Sequence, residues 1–168
     1  QMAVHSPMGV ETAARLGFSR VVLARELSRE EIKAIRESTE LEIETFVHGA
    51  HCMSMSGQCY MSAMFGGKSG NRGQCAQPCR LPFWAGCPSA PKVGENVLSL
   101  KDMSLVERLP ELAAMGIDSF KIEGRMKRPE YVAAAVTAYR CALSGEPADI
   151  ETLRAVFSRG GFTNGYLK

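Results

Sequence analysis

The sequence has no apolar stretch approaching the roughly eighteen residues that a membrane-crossing helix needs, so no transmembrane helix is expected. It opens with no basic-then-apolar leader, so no secretory signal is expected either. Cytoplasmic residence follows as the expectation, and in that compartment stable disulfides are disfavoured. Charge of one sign is also lacking. Twenty Lys and Arg stand against 18 Asp and Glu, a net charge of +2. Such a balance neither demands nor excludes a nucleic-acid partner, because local patches matter more than the sum. A nucleotide-binding phosphate loop is absent as well. Gly67-Lys68-Ser69 ends like one, but the glycine required five positions before Gly67 is replaced by Ser62.

What is present is an ordinary globular composition, 45% hydrophobic and 23% charged over 168 residues, enough for one modest domain with a core. Six cysteines break the ordinariness, and four of them fall in "HCMSMSGQCYMSAMFGGKSGNRGQCAQPC", residues 51–79. Cys52, Cys59, Cys75 and Cys79 are separated by six, fifteen and three residues.

Around that segment, strand-like and helix-like stretches alternate. Strands are expected at 1–6, 19–27, 41–49, 97–101 and 118–124, and helices at 9–17, 28–38, 104–116 and 128–145. Ser28 with Glu31, and Ser104 with Glu107, have capping-box spacing. Pro110 is expected to kink or split its helix, Pro129 to open the next in its first turn, and Gly17 and Gly145 to close theirs. Residues 50–96 have no period and much Gly, Pro and Ser. An excursion of that length is usually functional or disordered, and the cysteines favour functional. Alternating strands and helices imply an α/β protein with a parallel sheet of βαβ units. Five strands fall short of the eight, and the usual length of about 250 residues, of a closed (β/α) barrel. The chain is therefore expected to be either a small open sheet or about the last half of a barrel. The abrupt start at Gln1, inside the strand-like "QMAVHS", favours the second.

Four thiols in a glycine-rich loop admit three readings. Buried, reduced core residues are the bland one, and it remains the expectation for Cys141. A structural zinc site favours two close pairs of ligands, whereas here only Cys75 and Cys79 are close. An iron–sulfur site requires four thiolates and tolerates irregular spacing, because the cluster is larger than one ion. Flanking glycines let backbone amides turn toward sulfur and tune a cluster. Iron–sulfur is thus placed ahead of zinc, with zinc as the alternative.

Three blocks carry a resemblance. "ETFVHGAHCMSMSGQCYMS" (44–62), "SGNRGQCAQPCR" (69–80) and "SFKIEGRMKRPEYV" (119–132) resemble the signature blocks of peptidase family U32, the collagenase-like peptidases. The second block looks most like the branch that includes the bacterial ribosomal-RNA cytidine hydroxylase; a sister branch hydroxylates tRNA uridine. The resemblance implies a TIM-like barrel whose cysteines bind a 4Fe-4S cluster, with ligands carried over to Cys52, Cys59, Cys75 and Cys79. Cys87 and Cys141 match no ligand position. It also implies that the N-terminal half of the barrel precedes "QMAVHS". Residues 1–145 would then be a partial barrel with its cysteine loop at 50–96. Residues 146–168 would be a short helix and a linker toward a further domain. For the peptidase reading the sequence offers no Ser/His/Asp arrangement and no zincin motif.

Barrel sites sit at the C-terminal ends of strands. In 41–48, Glu42, Glu44, Phe46 and His48 alternate onto one face, and in 118–125 so do Lys121, Glu123 and Arg125. Glu44, His48, Lys121, Glu123 and Arg125 are therefore the candidate catalytic residues. The bland alternative for Glu44 and Lys121 is an ion pair inside the barrel. Arg125 would suit a small anionic cosubstrate. Lys68, Arg72 and Arg80, with Arg125, Lys127 and Arg128, could form a basic rim for rRNA or tRNA; a solvated surface is the plain alternative. Three functions stay open: an iron–sulfur-dependent RNA hydroxylase, a peptidase, and a non-catalytic metal-stabilised scaffold that binds a partner.

Overall fold

Apolar residues three and four apart, with a polar cap at the front, set the helices. In α1 (Pro7–Arg15), Ser6 accepts the Gly9 N–H at 3.2 Å, Pro7 sits in the first turn, and Val10 and Ala13 are buried. In α2 (Arg29–Glu37) the capping box forms as its spacing predicts. Ser28 N–H donates to Glu31 at 2.7 Å and Glu31 N–H to the Ser28 hydroxyl at 3.3 Å, while Ile32 and Ile35 face the core. The structure is a computed structural model that describes residues 2–83, 96–124 and 127–167. It divides into two units: Ala3–Ala50 with Lys101–Lys168, and Gln1–Met2 with His51–Leu100.

The larger unit is an α/β sheet unit. Its central strand is β2 (Glu42–Ala50), flanked in parallel by β1 (Arg20–Val22) and by β4 (Ser119–Ile122). Val4 adds a parallel bridge to Leu23, outside β1. Near its end β2 takes a different neighbour. β3 (Asp102–Ser104) runs antiparallel to His48–Ala50, and β5 (Phe162–Thr163) lies parallel to β3. The sheet is open, so these residues by themselves do not form a closed barrel. One face is covered by helices. Ile43 and Val47 of β2 pack with Ile35, Leu109, Leu112, Ala135 and Leu153 in the core, all nearly inaccessible to water.

Three expectations change. The fourth strand lies at 102–104 rather than 97–101, and it is antiparallel to β2. The Ser104–Glu107 capping box does not form. Ser104 is committed to β3, Leu105 N–H donates to the Val47 carbonyl, and a 3-10 turn (Val106–Arg108) precedes α4 (Leu109–Ala114). Pro110, in the first turn of α4, does split this stretch as expected. The tail holds more than a helix and a linker: α6 (Ile150–Val156) is followed by β5, which joins the sheet. The long α5 (Pro129–Leu143) matches its expectation and ends before Gly145, whose φ of +75° suits glycine.

The smaller unit is largely irregular, as its composition predicts. Its regular pieces are α3 (Met61–Gly66) and two 3-10 turns at Gly70–Arg72 and Pro78–Arg80. Arg80 ties it together. Its guanidinium donates to the His51 carbonyl at 2.7 Å, and to the Ser99 hydroxyl and the Leu100 carbonyl at 3.0 Å each. One side chain thus joins the first and last residues of the excursion at His51–Leu100.

Candidate functional site

In the cysteine unit, the inner face of α3 holds the segment that carries Cys75. Ser62 is buried; its hydroxyl accepts the Ala76 N–H at 3.0 Å and lies 3.9 Å from the Cys75 sulfur. Gln77, in the left-handed region at φ +57°, aims its N–H at the same sulfur from 3.4 Å. Cys75 therefore has two donors pointed at its sulfur. Burial pushes the Cys79 thiol pKa up, the Arg80 cation pulls it down, and charges on Cys52, Cys75 and Cys59 push it up again. Cys79 thus responds to the charge of all three other thiols. Among the described residues, however, no three His, Cys, Asp or Glu side chains frame a site for a single metal ion. Cys87 lies outside the described residues. Cys141 is half-buried on α5, in the other unit.

In the sheet unit, a bulge decides which side chains meet. Phe46 pairs with Lys121, but His48, two residues on, pairs with Ile122 only one residue on. The extra residue is Val47. Its insertion turns His48 away from the face that carries Glu44 and Phe46, because strand residues alternate sides and a one-residue slip reverses them. The expected single row of Glu44, Phe46 and His48 is thereby corrected.

Glu44 and Lys121 stay together. Lys121 Nζ lies 3.2 Å from the Glu44 carboxylate, Ser119 donates to it at 3.0 Å, and Arg20 approaches at 3.6 Å. Burial pushes the Glu44 pKa up, but hydrogen bonds from Lys121 and Ser119, with the charges of Lys121 and Arg20, hold it below the ordinary carboxylate value. This is the ion-pair alternative, with Lys121 40% exposed. Lys121 and Arg25 both lie over the Phe46 ring, at 5.5 and 5.4 Å from its centroid. The face thus carries cations around one half-buried carboxylate and one aromatic ring.

His48 is 1% exposed on the opposite, helix-covered face. Its ring packs against Tyr131, Tyr139 and Phe162 with centroids 5.4–5.7 Å away. The Tyr139 hydroxyl donates to the Val47 carbonyl at 2.6 Å and accepts the Leu105 N–H at 3.0 Å. Its single proton is used, so His48 Nδ1, at 3.3 Å, must carry the hydrogen between them. Nε2 is left a bare acceptor, without a hydrogen-bond partner among the described residues. Burial lowers the His48 pKa to about 4, against a smaller upward pull from Asp102, so the ring is neutral at pH 7.

Glu123 closes the end of β4. Its N–H donates to the His48 carbonyl at 2.9 Å and its own carbonyl accepts the Tyr131 hydroxyl at 3.3 Å. Gly49 makes that approach possible. A Cβ there would lie 2.6 Å from the Glu123 carbonyl oxygen, and its φ is +121°. Arg125 lies outside the described residues.

Sequence reading missed Asp102 and Arg159. Asp102 is 2% exposed and accepts the Arg159 N–H at 2.9 Å; the guanidinium is 3.4 Å from the other carboxylate oxygen, an ion pair without hydrogen-bond geometry. They are 57 residues apart, and no local pattern joins them. The basic rim is also redistributed. Arg80 is spent on loop closure, Arg128 pairs with Glu130, and Lys127 lies over the Phe157 ring, whereas Lys68 and Arg72 are exposed.

The family profile described as peptidase family U32 matches residues 1–168. The tRNA hydroxylation protein P1 of Bacillus subtilis (strain 168) is 43% identical over 143 residues, which cover 80% of this chain and 34% of that protein. The 23S rRNA 5-hydroxycytidine C2501 synthase of Escherichia coli (strain K12) is 44% identical over 127 residues, covering 74% of this chain and 19% of that protein. A protein named Collagenase from Porphyromonas gingivalis (strain ATCC BAA-308 / W83) is 33% identical over 171 residues, covering 87% and 41%. The chain thus spans only a fifth to two fifths of these relatives. No solved structure matches it. Among the described residues no helix is long and apolar enough to cross a membrane.

Proposed function

The chain belongs to peptidase family U32, and from that premise we propose that it carries the cluster-binding part of an iron–sulfur-dependent enzyme that hydroxylates an RNA base. Ribosomal-RNA cytidine is the favoured substrate and tRNA uridine the next. The carrying observation is that Cys52, Cys59, Cys75 and Cys79 all fall in one small unit, where Ser62 and Gln77 donate toward the Cys75 sulfur. Four thiols at irregular spacing, with only Cys75 and Cys79 close in sequence, suit a 4Fe-4S cluster better than zinc. The relatives named for tRNA hydroxylation and 5-hydroxycytidine synthesis support the reaction and the RNA substrate.

On this reading Cys52, Cys59, Cys75 and Cys79 ligate the cluster, which when bound supplies one-electron redox chemistry. Gln77 N–H and the Ser62 hydroxyl donate toward Cys75 and tune its sulfur. The sheet forms part of a TIM-like barrel completed by further strands, and the face bearing Lys121, Arg20 and Phe46 lines its interior. There the cations attract a small anionic cosubstrate, with Glu44 fixing Lys121. A base inside a helix cannot reach such an interior, so the target nucleotide must leave its stack.

The relative named Collagenase favours a second reading, a peptidase. A cysteine nucleophile drawn from the four thiols would be lost as a ligand. Anaerobic purification with an absorbance spectrum and iron, zinc and sulfide analysis separates the cofactors; a colourless, zinc-loaded protein without sulfide refutes the cluster. Cys75→Ser is expected to bleach the spectrum and Cys141→Ser to leave it. Nucleoside mass spectrometry of RNA from a deletion strain tests the reaction. Unchanged hydroxycytidine and hydroxyuridine would turn the reading to a peptidase.

A further inference from the structure

The cysteine unit has an unusual charge pattern. Between Glu44 and Glu95 the chain contains no acidic residue, although it has 18 acidic residues in all. Lys68, Arg72, Arg80 and Lys92 fall in the same stretch, so it is purely cationic within a nearly neutral protein. Arg80 is consumed by loop closure. Lys68 and Arg72 are exposed, just past the C-terminus of α3.

The outward side of α3 is apolar and uncovered. Tyr60, its N-cap, is 67% exposed, Met64 81% and Phe65 70%. Residues four apart lie on one helix face, so Tyr60 and Met64 present one surface, and Phe65 projects from the flank about 100° further round. Ser62, on the inner face, holds Ala76 and the Cys75 sulfur. One short helix thus joins the Cys75 segment on its inside to two exposed aromatic rings, Tyr60 and Phe65, across a helix width of about 10 Å.

We infer that α3 and the Lys68–Arg72 segment form a docking platform for single-stranded RNA, in which Tyr60 and Phe65 stack unpaired bases and Lys68 and Arg72 meet the adjoining phosphates. This rests on the RNA-hydroxylase reading and adds where, and in which form, the RNA is held. Exposed aromatic rings beside cations, with no acidic residue to repel phosphate, are what unpaired nucleotides require. A duplex buries its base faces and offers nothing to the rings, so the platform distinguishes the two. Stacking is also sequence-tolerant, because every base has a π face. The platform therefore holds flanking nucleotides and leaves the choice of reacting base to the site itself.

The test uses the intact, cluster-loaded protein and fluorescence anisotropy with an unstructured single-stranded RNA 12-mer and a duplex of equal length. Tyr60→Ala and Phe65→Ala are each expected to weaken single-strand binding about 10-fold and to leave duplex binding unchanged. Tyr60→Phe is expected to bind like the wild type. Lys68→Gln with Arg72→Gln is expected to flatten the salt dependence for the single strand by about 1.5 logarithmic units per tenfold change in salt. Iron content and visible absorbance, measured in each variant, show that the fold survives; a variant that loses iron is replaced by Tyr60→Leu or Phe65→Leu, which also remove the ring, and scored against the same expectations. Equal affinity of wild type, Tyr60→Ala and Phe65→Ala for the 12-mer overturns the platform while leaving RNA hydroxylation standing. No measurable RNA binding by the wild type at 50 mM salt overturns the platform and the hydroxylase reading together. RNA binding unchanged in Phe65→Ala, with a wild-type dimer turned to monomer in sedimentation, overturns it in favour of a protein interface.

Discussion

Lowering the pH from 7 to 5 should weaken the folded protein through one side chain, His48. The ring is 1% exposed and enclosed by Tyr131, Tyr139 and Phe162. Burial, partly offset by Asp102, brings its pKa from the ordinary 6.5 to about 4. In the unfolded chain the imidazole takes a proton as pH falls through about 6.5. In the folded chain it stays neutral until about 4. Between those values the unfolded state binds more protons, so stability is full above pH 6.5 and is lost as pH falls toward 4. The loss reaches about 2 kcal/mol at pH 5 and about 3 kcal/mol below pH 4. His48→Phe keeps a ring in the cage and removes the titrating nitrogen. Denaturant midpoints of both proteins at pH 7 and pH 5, in oxygen-free buffer at equal iron loading, isolate the term. The carboxylates held below their ordinary values, Glu31, Glu44 and Asp149, also lose stability in acid, but they do so in both proteins. The variant should therefore show a shallower pH dependence by about 2 kcal/mol. Parallel pH profiles would refute a neutral, buried His48.

Gly49→Ala should destabilise the sheet unit by about 3 kcal/mol, because it places a Cβ against the Glu123 carbonyl and strains a φ of +121°; a urea midpoint within about 0.5 kcal/mol of wild type would contradict that close approach. Arg80→Gln should open the cysteine unit. Protease cleavage and hydrogen exchange are expected to rise within residues 51–100 and not in the sheet unit, with a cost of about 2 kcal/mol, and protection unchanged in 51–100 would remove Arg80 as the closing residue. Glu44→Gln and Lys121→Met, measured singly and together, should show a coupling near 1 kcal/mol, since Lys121 is 40% exposed and screened; a coupling above about 3 kcal/mol would mean that the pair is buried.

The sequence by itself determined what is local. The Ser28–Glu31 capping box, the split at Pro110 and the start of α5 at Pro129 each depend on residues within one helical turn, and each is in place. The four clustered cysteines and the family blocks were legible for the same reason, since four thiols packed into a short segment announce themselves as composition. Tertiary structure decided whatever needed two distant segments to meet. The bulge at Val47, stitched by Leu105 N–H and the Tyr139 hydroxyl, sent His48 to the face opposite Glu44, and a period of two cannot foresee an inserted residue. Asp102 met Arg159 only because β5 returns beside β3. Arg80 read as one more surface cation until the chain brought His51 and Leu100 within its reach. In each case the deciding partner is a backbone carbonyl, a backbone amide or a side chain dozens of residues away, and sequence spacing carries no record of such a meeting.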